Sequence, residues 1–282
     1  MVVLRHPART VRIADALRAG GMTPYALPLT DTELPTDTDA VARALAALGQ
    51  GAYGWLVVTS ANAVQALALL PGADGAPLAA LVRRGGARVA AVGTATARAL
   101  AEAGVAVDLM PGEASSAGLL TAFPSGAGAV LLPQADLAPD DLRAGLAAAG
   151  RTVHRVEAYR TVAYPASPTR RVPGIEEDGP RPPVLSLDDL LDLASGGVRP
   201  AVVFTAPSTV RQFRDRLDAG PLSFRSVAIG RTTAGALRSE GWAPAATAAE
   251  PTPQGIARAA ADALAQDDAS LLHVAPSNGD QP

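Results

Sequence analysis

The sequence predicts an α/β fold made of doubly wound parallel sheets. Short apolar runs recur along the chain without strict alternation of apolar and polar residues. Such runs are typical of strands that are buried on both faces of a parallel sheet. Amphipathic helical patterns lie between the runs, and the repeated strand–helix order places helices on both faces of each sheet.

Ten runs are predicted as strands, and the second of them is the weakest. In chain order they are Val2–Arg5, Pro24–Pro28, Trp55–Thr59, Arg88–Gly93, Val105–Met110, Ala129–Pro133, Thr152–Glu157, Ala201–Thr205, Ser226–Gly230 and Trp242–Ala246. The helical patterns include Thr94–Ala103, Asp140–Ala149, Val210–Leu217 and Thr233–Glu240. Gly104, Gly150 and Gly241 follow three of these patterns, as glycines that end helices do.

The chain resembles itself, which predicts two domains with five strands each. Leu56–Leu67 aligns with Val202–Phe213, and Ala91–Leu100 aligns with Ala228–Leu237. A further repeated segment stands first in one copy and last in the other. We therefore expect one continuous domain to be inserted into a discontinuous one.

The expected boundaries follow from the repeats and from local composition. Pro, Gly and charged residues concentrate in residues 168–183, which predicts an exposed, flexible loop. The complete division is an inserted domain of residues 38–157, a discontinuous domain of residues 1–29 plus 185–265, side-by-side connectors of residues 30–37 and 158–165, the loop, and a disordered tail of residues 268–282.

Composition excludes several classes of protein. The 282 residues carry 24 basic and 27 acidic side chains, and this near-neutral balance gives no general attraction for nucleic acid or anionic lipid. The absence of cysteine excludes disulfide scaffolds, thiolate metal sites and cysteine nucleophiles, and it fits a reducing cytoplasm. The first residues lack the apolar core of a signal peptide, and no stretch reads as a membrane span. We expect a cytoplasmic monomer without nucleic-acid or membrane partners.

Small hydroxyl residues follow four of the predicted strands and open the next helix. The turns are Thr59–Asn62, Gly93–Thr96, Thr205–Ser208 and Gly230–Thr233. Each turn can be an ordinary helix N-cap. However, helix N-termini also attract carboxylates or phosphates, and open α/β sheets bind ligands at the carboxyl ends of their strands. Together the turns predict a cleft between the domains for a ligand with several anionic groups.

Other motifs add little specific chemistry. His6, His154 and His273 lie far apart in the sequence, so a three-histidine metal site is not expected. Tyr159 and Thr161 lie in the second connector, where the phenol either packs against the hinge or donates a proton or hydrogen bond into the cleft. Arg5, at the end of the first strand, is expected to pair with a carboxylate of the protein or of a ligand.

Six motifs, in order along nearly the whole chain, resemble the uroporphyrinogen-III synthase family. They are Val58–Val64, Ala91–Leu100, Val156–Thr161, Val203–Val210, Ala228–Leu237 and Pro251–Ile256. The resemblance implies two flavodoxin-like domains joined by a two-stranded connector. It also implies an enzyme that needs no cofactor and that dehydrates and cyclises hydroxymethylbilane while inverting ring D, to give uroporphyrinogen III in tetrapyrrole biosynthesis.

The resemblance also implies a set of site residues. Tyr159 matches the connector tyrosine that is proposed to assist loss of the substrate hydroxyl, and Thr161 lies beside it. The residues implied to line the substrate cleft are Thr59, Ser60, Asn62, Thr94, Thr205, Ser208, Thr232 and Thr233. Ala206, Gln134 and Arg231 depart from the residues common in the family, and the loop of residues 168–183 is longer than usual.

Two alternatives remain open at this stage. One is a non-catalytic protein of the same fold that binds a ligand for regulation, although residues 268–282 are too few for a DNA-binding domain. The other is a two-domain glycosyltransferase, for which no sugar-nucleotide motif is found.

Overall fold

The computed structural model of the chain describes residues 1–70, 75–174, 176–217 and 223–271. It divides into two compact units. Unit 1 comprises Met1–Leu29 with Glu176–Pro282, and unit 2 comprises Thr30–Ile175. Both units combine helices with largely parallel sheets, so the predicted α/β class is confirmed.

The described residues form the following elements. The strands are β1 (Val2–Val3), β2 (Tyr25–Ala26), β3 (Thr30–Glu33), β4 (Trp55–Val58), β5 (Arg88–Ala91), β6 (Ala129–Ala135), β7 (Thr152–Ala163), β8 (Ala201–Phe204), β9 (Arg225–Ala228) and β10 (Ala246–Thr247). The α-helices are α1 (Val11–Ala19), α2 (Thr38–Gly49), α3 (Ala61–Leu69), α4 (Leu78–Gly85), α5 (Thr94–Glu102), α6 (Ser116–Ala122), α7 (Asp141–Ala148), α8 (Leu187–Ser195), α9 (Pro207–Arg214), α10 (Arg231–Ser239) and α11 (Pro253–Leu271). A short 3-10 helix, Pro7–Arg9, precedes α1.

In its described residues, unit 1 contains a five-stranded parallel sheet in the order β10-β9-β8-β1-β2. Val3 of β1 pairs with Ala26 of β2 and with Val203 of β8. One face packs Phe204 against α9 and α10, and the other packs Val203 against α1 and α11. Burial on both faces explains why these strands read as continuous apolar runs.

The described part of unit 2 contains a five-stranded sheet in the order β3-β7-β6-β4-β5. Strands β4 to β7 are parallel, whereas β3 runs antiparallel to the second half of β7 and pairs Thr30 with Ala163. Leu56 and Val58 pack into one core, and Trp55 and Val57 pack into the core on the opposite face.

Several predicted boundaries differ from the structure. Val105–Met110 is not a strand, because it meets the sheet only near its end, through an isolated bridge between Ala90 and Leu109 and hydrogen bonds between Asp108 and Val89. β7 does not end at Glu157 but continues to Ala163, because its second half finds β3 as a partner. α11 continues through Leu271, so the first residues of the expected tail are helical, and residues 272–282 lie outside the described residues.

The repeated sequence motifs correspond to repeated geometry. Ser115 Oγ accepts the N–H of Gly118 at 2.9 Å, and Thr252 Oγ1 accepts the N–H of Gly255 at 3.1 Å. A β-carbon on Gly118 would lie 2.2 Å from a backbone oxygen, and one on Gly255 would lie 2.3 Å from another. Glycine is therefore required at both positions because the chain folds back against the first helical turn.

Residues 168–183 are mostly exposed but are anchored at several points. Val172 is only 2% exposed, and its N–H donates to the carbonyl of Thr32 at 2.9 Å. In unit 1, the carbonyl of Pro183 accepts the N–H of Ala26 at 2.8 Å. These contacts tie the described parts of the segment to the body of each unit.

Candidate functional site

Tyr159 lies at the carboxyl end of the unit 2 sheet, beside the start of α3. Its hydroxyl donates to Ser60 Oγ at 3.2 Å, and its side chain is 8% exposed. Ser60 is the N-cap of α3, and its Oγ also accepts the N–H of Asn62 at 3.1 Å. One serine hydroxyl therefore connects the phenol to the first turn of a helix.

A β-bulge determines where Tyr159 lies. The register of β6 against β7 shifts from Gln134 opposite Glu157 to Ala135 opposite Tyr159. β7 therefore contains an extra residue, Ala158, at this point. Bulges redirect side chains, and both Ala158 and Tyr159 pack into the same core as α3.

Asn62 and Thr32 connect α3 to the edge strand β3. Asn62 Nδ2 donates to Thr32 Oγ1 at 3.2 Å. Beside Thr32, the buried carboxylate of Asp31 accepts the N–H of Ala166 at 3.2 Å and lies 3.4 Å from Arg171 Nε. The bond from Asn62 thus joins β3 to α3, and the contacts of Asp31 join β3 to the segment that follows β7.

The three predicted threonines of unit 2 differ in their contacts and in their exposure to solvent. The backbone N–H of Thr161 donates to Asp136 Oδ1 at 3.1 Å, so this residue is fixed by its main chain. Thr94 is exposed in the first turn of α5, whereas Thr59 is half-buried directly after β4.

The equivalent turns of unit 1 have the same backbone plan with different caps. Thr205 Oγ1 donates to the carbonyl of Leu4 at 3.2 Å. Ala206 is the N-cap of α9 and has no hydroxyl to accept a first-turn N–H, but its own N–H donates to Thr209 Oγ1 at 3.3 Å. Ser208, in the first turn of this helix, is exposed.

The two threonines of α10 point in different directions. Thr232 is exposed, whereas Thr233 is only 3% exposed and packs inward. The Thr233 hydroxyl is therefore unavailable to a ligand in this structure, although its backbone N–H lies in the first turn, where no intrahelical acceptor exists. Thr96, which aligns with Thr233 in the sequence repeat, is similarly buried.

Arg5 lines a cavity of about 250 Å³ in unit 1. Burial lowers the pKa of its guanidinium, and the charge of Glu177 opposes this effect. Arg12 and Glu177 line the same cavity. Sequence reasoning selected Arg5 but missed these two residues, since the helical pattern alone does not indicate their proximity.

Gln134 is a third residue that the sequence did not select for the site. It lies at the carboxyl end of β6, is 4% exposed, and its Oε1 has no hydrogen-bond partner among the described residues. A buried acceptor without a partner costs about 1–3 kcal/mol. The sequence signal was present, because Gln134 departs from the family pattern, but its burial was not evident.

Neither a metal cluster nor a membrane span is found in the described part of the chain. No group of three or more His, Cys, Asp or Glu residues there is placed to hold a metal ion. No helix there is both long enough and apolar enough to cross a membrane.

Comparison of the chain with known proteins identifies one protein family. The family model described as "Uroporphyrinogen-III synthase HemD" matches residues 11–258. No curated protein matches the sequence at a significant level.

Two solved structures share the fold. A mutant uroporphyrinogen III synthase from the extremely thermophilic bacterium Thermus thermophilus matches with a TM-score of 0.61 and 23% identity, covering 94% of this chain and 98% of that one. The uroporphyrinogen-III synthetase of Helicobacter pylori matches with a TM-score of 0.55 and 18% identity, covering 94% of this chain and 97% of that one.

Proposed function

Since the chain belongs to the uroporphyrinogen-III synthase family, we propose that Tyr159 and the hydroxyl-bearing turns of each unit bind its substrate. The protein is an enzyme that cyclises hydroxymethylbilane with loss of water and forms uroporphyrinogen III. The observation that carries the proposed site is the hydrogen bond between Tyr159 and Ser60 at the start of α3.

We also propose that both units are flavodoxin-like domains. Read from its other edge, the unit 1 sheet has the order β2-β1-β8-β9-β10. If β1 is counted as the first strand of the unit, this is the 2-1-3-4-5 order of flavodoxin-like folds. In unit 2 the order β5-β4-β6-β7 follows the same scheme, and β3 with the second half of β7 would serve as the two-stranded connector.

The substrate carries carboxylates around a chain of four pyrroles, so its recognition requires several anion-binding positions. Backbone N–H groups in the first turns of α5 and α10 lack intrahelical acceptors and attract negative charge. The turns of α3 and α9 offer fewer such donors, because the N–H of Asn62 donates to Ser60 Oγ and that of Thr209 donates to the carbonyl of Ala206. We propose that Thr59, Asn62, Thr94, Thr205, Ser208, Thr232 and Thr233 contribute through these turns, with Thr233 acting through its backbone alone. Arg5 and Thr161 complete the proposed set.

In the proposed mechanism, Tyr159 assists departure of the hydroxyl group of hydroxymethylbilane. Its phenol donates a proton or hydrogen bond to the leaving oxygen, and pyrrole nitrogen stabilises the cation that remains. The contact with Ser60 supports this role because it directs the phenol towards the N-terminus of α3. General-acid assistance of this kind contributes about 10²–10⁴-fold where the uncatalysed step is slow.

The second requirement is orientation of ring D. Attack through its substituted carbon gives a spiro intermediate, which fragments and recloses with the ring inverted. Holding the reacting carbons in this geometry can contribute roughly 7–11 kcal/mol through effective concentration. The proposed anion-binding turns supply this orientation by holding carboxylates on separate rings.

The decisive experiment is an isomer assay. The purified protein is incubated with enzymatically generated hydroxymethylbilane, and the type I and type III products are resolved by chromatography after oxidation. We expect the type III isomer to form with and without chelator, whereas heat-denatured protein should give the spontaneous type I isomer. Type I product alone from the folded protein would refute the proposed activity.

A further inference from the structure

Unit 1 concentrates positive charge where β1 ends and α1 begins. Arg5 follows β1, Arg9 ends the short 3-10 helix, and Arg12 lies in the first turn of α1. Burial lowers the pKa of Arg5, Glu177 raises it, and the nearby charges of Arg9 and Arg12 lower it. The charges of Arg9 and Arg12 therefore act on Arg5 in one direction, and the charge of Glu177 acts on it in the other.

The cavity beside these arginines has room for a small anionic group. Its volume is about 250 Å³. Among the residues that line it, Arg5, Arg12 and Glu177 carry charge. The rest of its lining comes from Ile13, Ile229, Pro251, Thr252, Pro253 and Ile256. Two arginines and one carboxylate therefore supply its charges, and the rest of its lining is mainly apolar.

Glu177 binds at the start of α1. Its Oε2 accepts the backbone N–H of Arg12 at 2.9 Å, and its Oε1 accepts from Arg12 Nη2 at 3.4 Å. The Glu177 side chain is only 13% exposed, and its own N–H donates to the carbonyl of Ala8 at 2.7 Å. One carboxylate of the protein thus occupies the helix end that faces the arginines.

We propose that Arg5 and Arg12 form a carboxylate-binding subsite and that Glu177 is its internal occupant in the ligand-free protein. The ligand would be one carboxylate of the bilane, so the inference rests on the proposed function. A substrate carboxylate competes with Glu177 for the guanidinium groups, because both carry the same charge and accept the same hydrogen bonds. Glu177 must be displaced before an anion binds, so it weakens binding of anions that make no other contacts with the protein.

The segment that carries Glu177 is held against α1 by a tight backbone approach. Gly179 has φ +124°, and a β-carbon there would lie 2.7 Å from Val11 Cγ1. The carbonyl of Pro180 accepts from Arg18 Nη1 at 3.4 Å. A side chain at Gly179 would therefore displace the segment, and Glu177 with it, without altering any charge.

The test measures binding of propane-1,2,3-tricarboxylate by calorimetry at low ionic strength. Glu177→Gln keeps an acceptor for the Arg12 N–H but removes the competing charge, so we expect binding about threefold to tenfold tighter than in the wild type. Arg5→Gln removes a cationic partner of the ligand and should weaken binding by at least about threefold relative to the wild type. Glu176→Gln is the matched control, because Glu176 pairs with Arg181 at 2.6 Å and does not line the cavity, and we expect no change.

Unchanged or weaker binding in Glu177→Gln would overturn the proposal, because it would leave Glu177 a purely structural role. If this variant fails to fold, Gly179→Ala provides the second measurement, and it should also tighten binding. The binding assay requires no turnover. If Glu177→Gln binds the tricarboxylate more tightly but the wild-type protein forms no type III product, the activity alone is refuted. If the wild-type protein forms type III product but Glu177→Gln does not bind more tightly, the subsite alone is refuted.

Discussion

The hydroxyl of Tyr159 lies 3.2 Å from Ser60 Oγ, although the two residues are 99 positions apart in the sequence. Ser60 caps α3, and Tyr159 lies just beyond a register shift between β6 and β7. The contact therefore joins the end of one strand to the start of a helix that follows a different strand. It places the phenol beside the first turn of α3, where the Asn62 N–H donates to the same Ser60 Oγ.

We expect Tyr159→Phe to lower the rate of type III formation by about tenfold to hundredfold. The loss is smaller than that of many general acids because hydroxymethylbilane loses water spontaneously. Stopped-time assays with product separation measure the effect. Tyr53→Phe is a suitable control, because Tyr53 is also buried but its hydroxyl contacts His154. Equal losses in the two variants would argue against a specific role for Tyr159.

Single hydroxyl removals in the turns should weaken activity without abolishing it. A neutral side-chain hydrogen bond contributes about 0.5–1.5 kcal/mol, which corresponds to roughly threefold to tenfold in rate. Thr59→Ala, Ser208→Ala and Thr232→Ala should fall in this range. Thr233→Ala tests a different property, since its hydroxyl is buried and the expected effect is on stability. Complete inactivation by one exposed-site variant that remains folded would indicate a dedicated catalytic group.

Loss of a backbone donor should be more damaging than loss of a hydroxyl. Ser208 is the second residue of α9, after Pro207, and a proline there has no N–H to donate. Ser208→Pro should therefore lower substrate affinity more than Ser208→Ala does. Circular dichroism establishes that the helix is retained. Similar affinities in the two folded variants would exclude the Ser208 N–H as a carboxylate ligand.

Residues 30–174 should fold cooperatively as an isolated fragment, and residues 38–157 should be less stable. The shorter fragment lacks β3 and the second half of β7, and it removes Tyr159 and Val172 from the core. Chemical denaturation followed by far-ultraviolet circular dichroism compares the two. If the two fragments have equal stability, then β3 and residues 158–174 contribute nothing to the free energy of unfolding.

Gln134→Met should stabilise the protein by roughly 1 kcal/mol. The substitution removes a buried amide oxygen that has no partner among the described residues and keeps a similar volume. The free energy of unfolding from urea denaturation measures the change. A clear destabilisation would mean that the Nε2 of the amide makes an essential contact.

Asp189 should make stability depend on acid pH. Hydrogen bonds from the side chain and the backbone N–H of Ser186 lower the pKa of its carboxyl group below the ordinary value. A carboxyl group with a lower pKa when folded stabilises the protein above its unfolded pKa, near 4, and this contribution is lost as the pH falls through the folded pKa. Asp189→Asn should therefore lower the melting temperature at pH 7, and its difference from the wild type should shrink as the pH falls below about 4.

The sequence alone determined the class of fold and the positions of the hydroxyl-bearing turns of the proposed site. Apolar runs and helical patterns report burial directly, so β4, β8 and the helices after them were evident from composition along the chain. Gly104, Gly150 and Gly241 were predicted to end helices, and all three have positive φ. The hydroxyl turns were also evident, because capping depends on residues within a few positions of one another.

Only the tertiary structure decided which of these residues meet. The bulge beside Ala158, the antiparallel pairing of Thr30 with Ala163 and the contact of Glu177 with Arg12 join segments that are distant in sequence. Val105–Met110 shows the reverse case, since an apolar pattern that bonds to β5 only near its end did not become a strand. Local pattern reports whether a residue prefers burial or a turn. Which partner it finds depends on the packing of the whole unit, and that determines the direction of Tyr159 and the charge around Arg5.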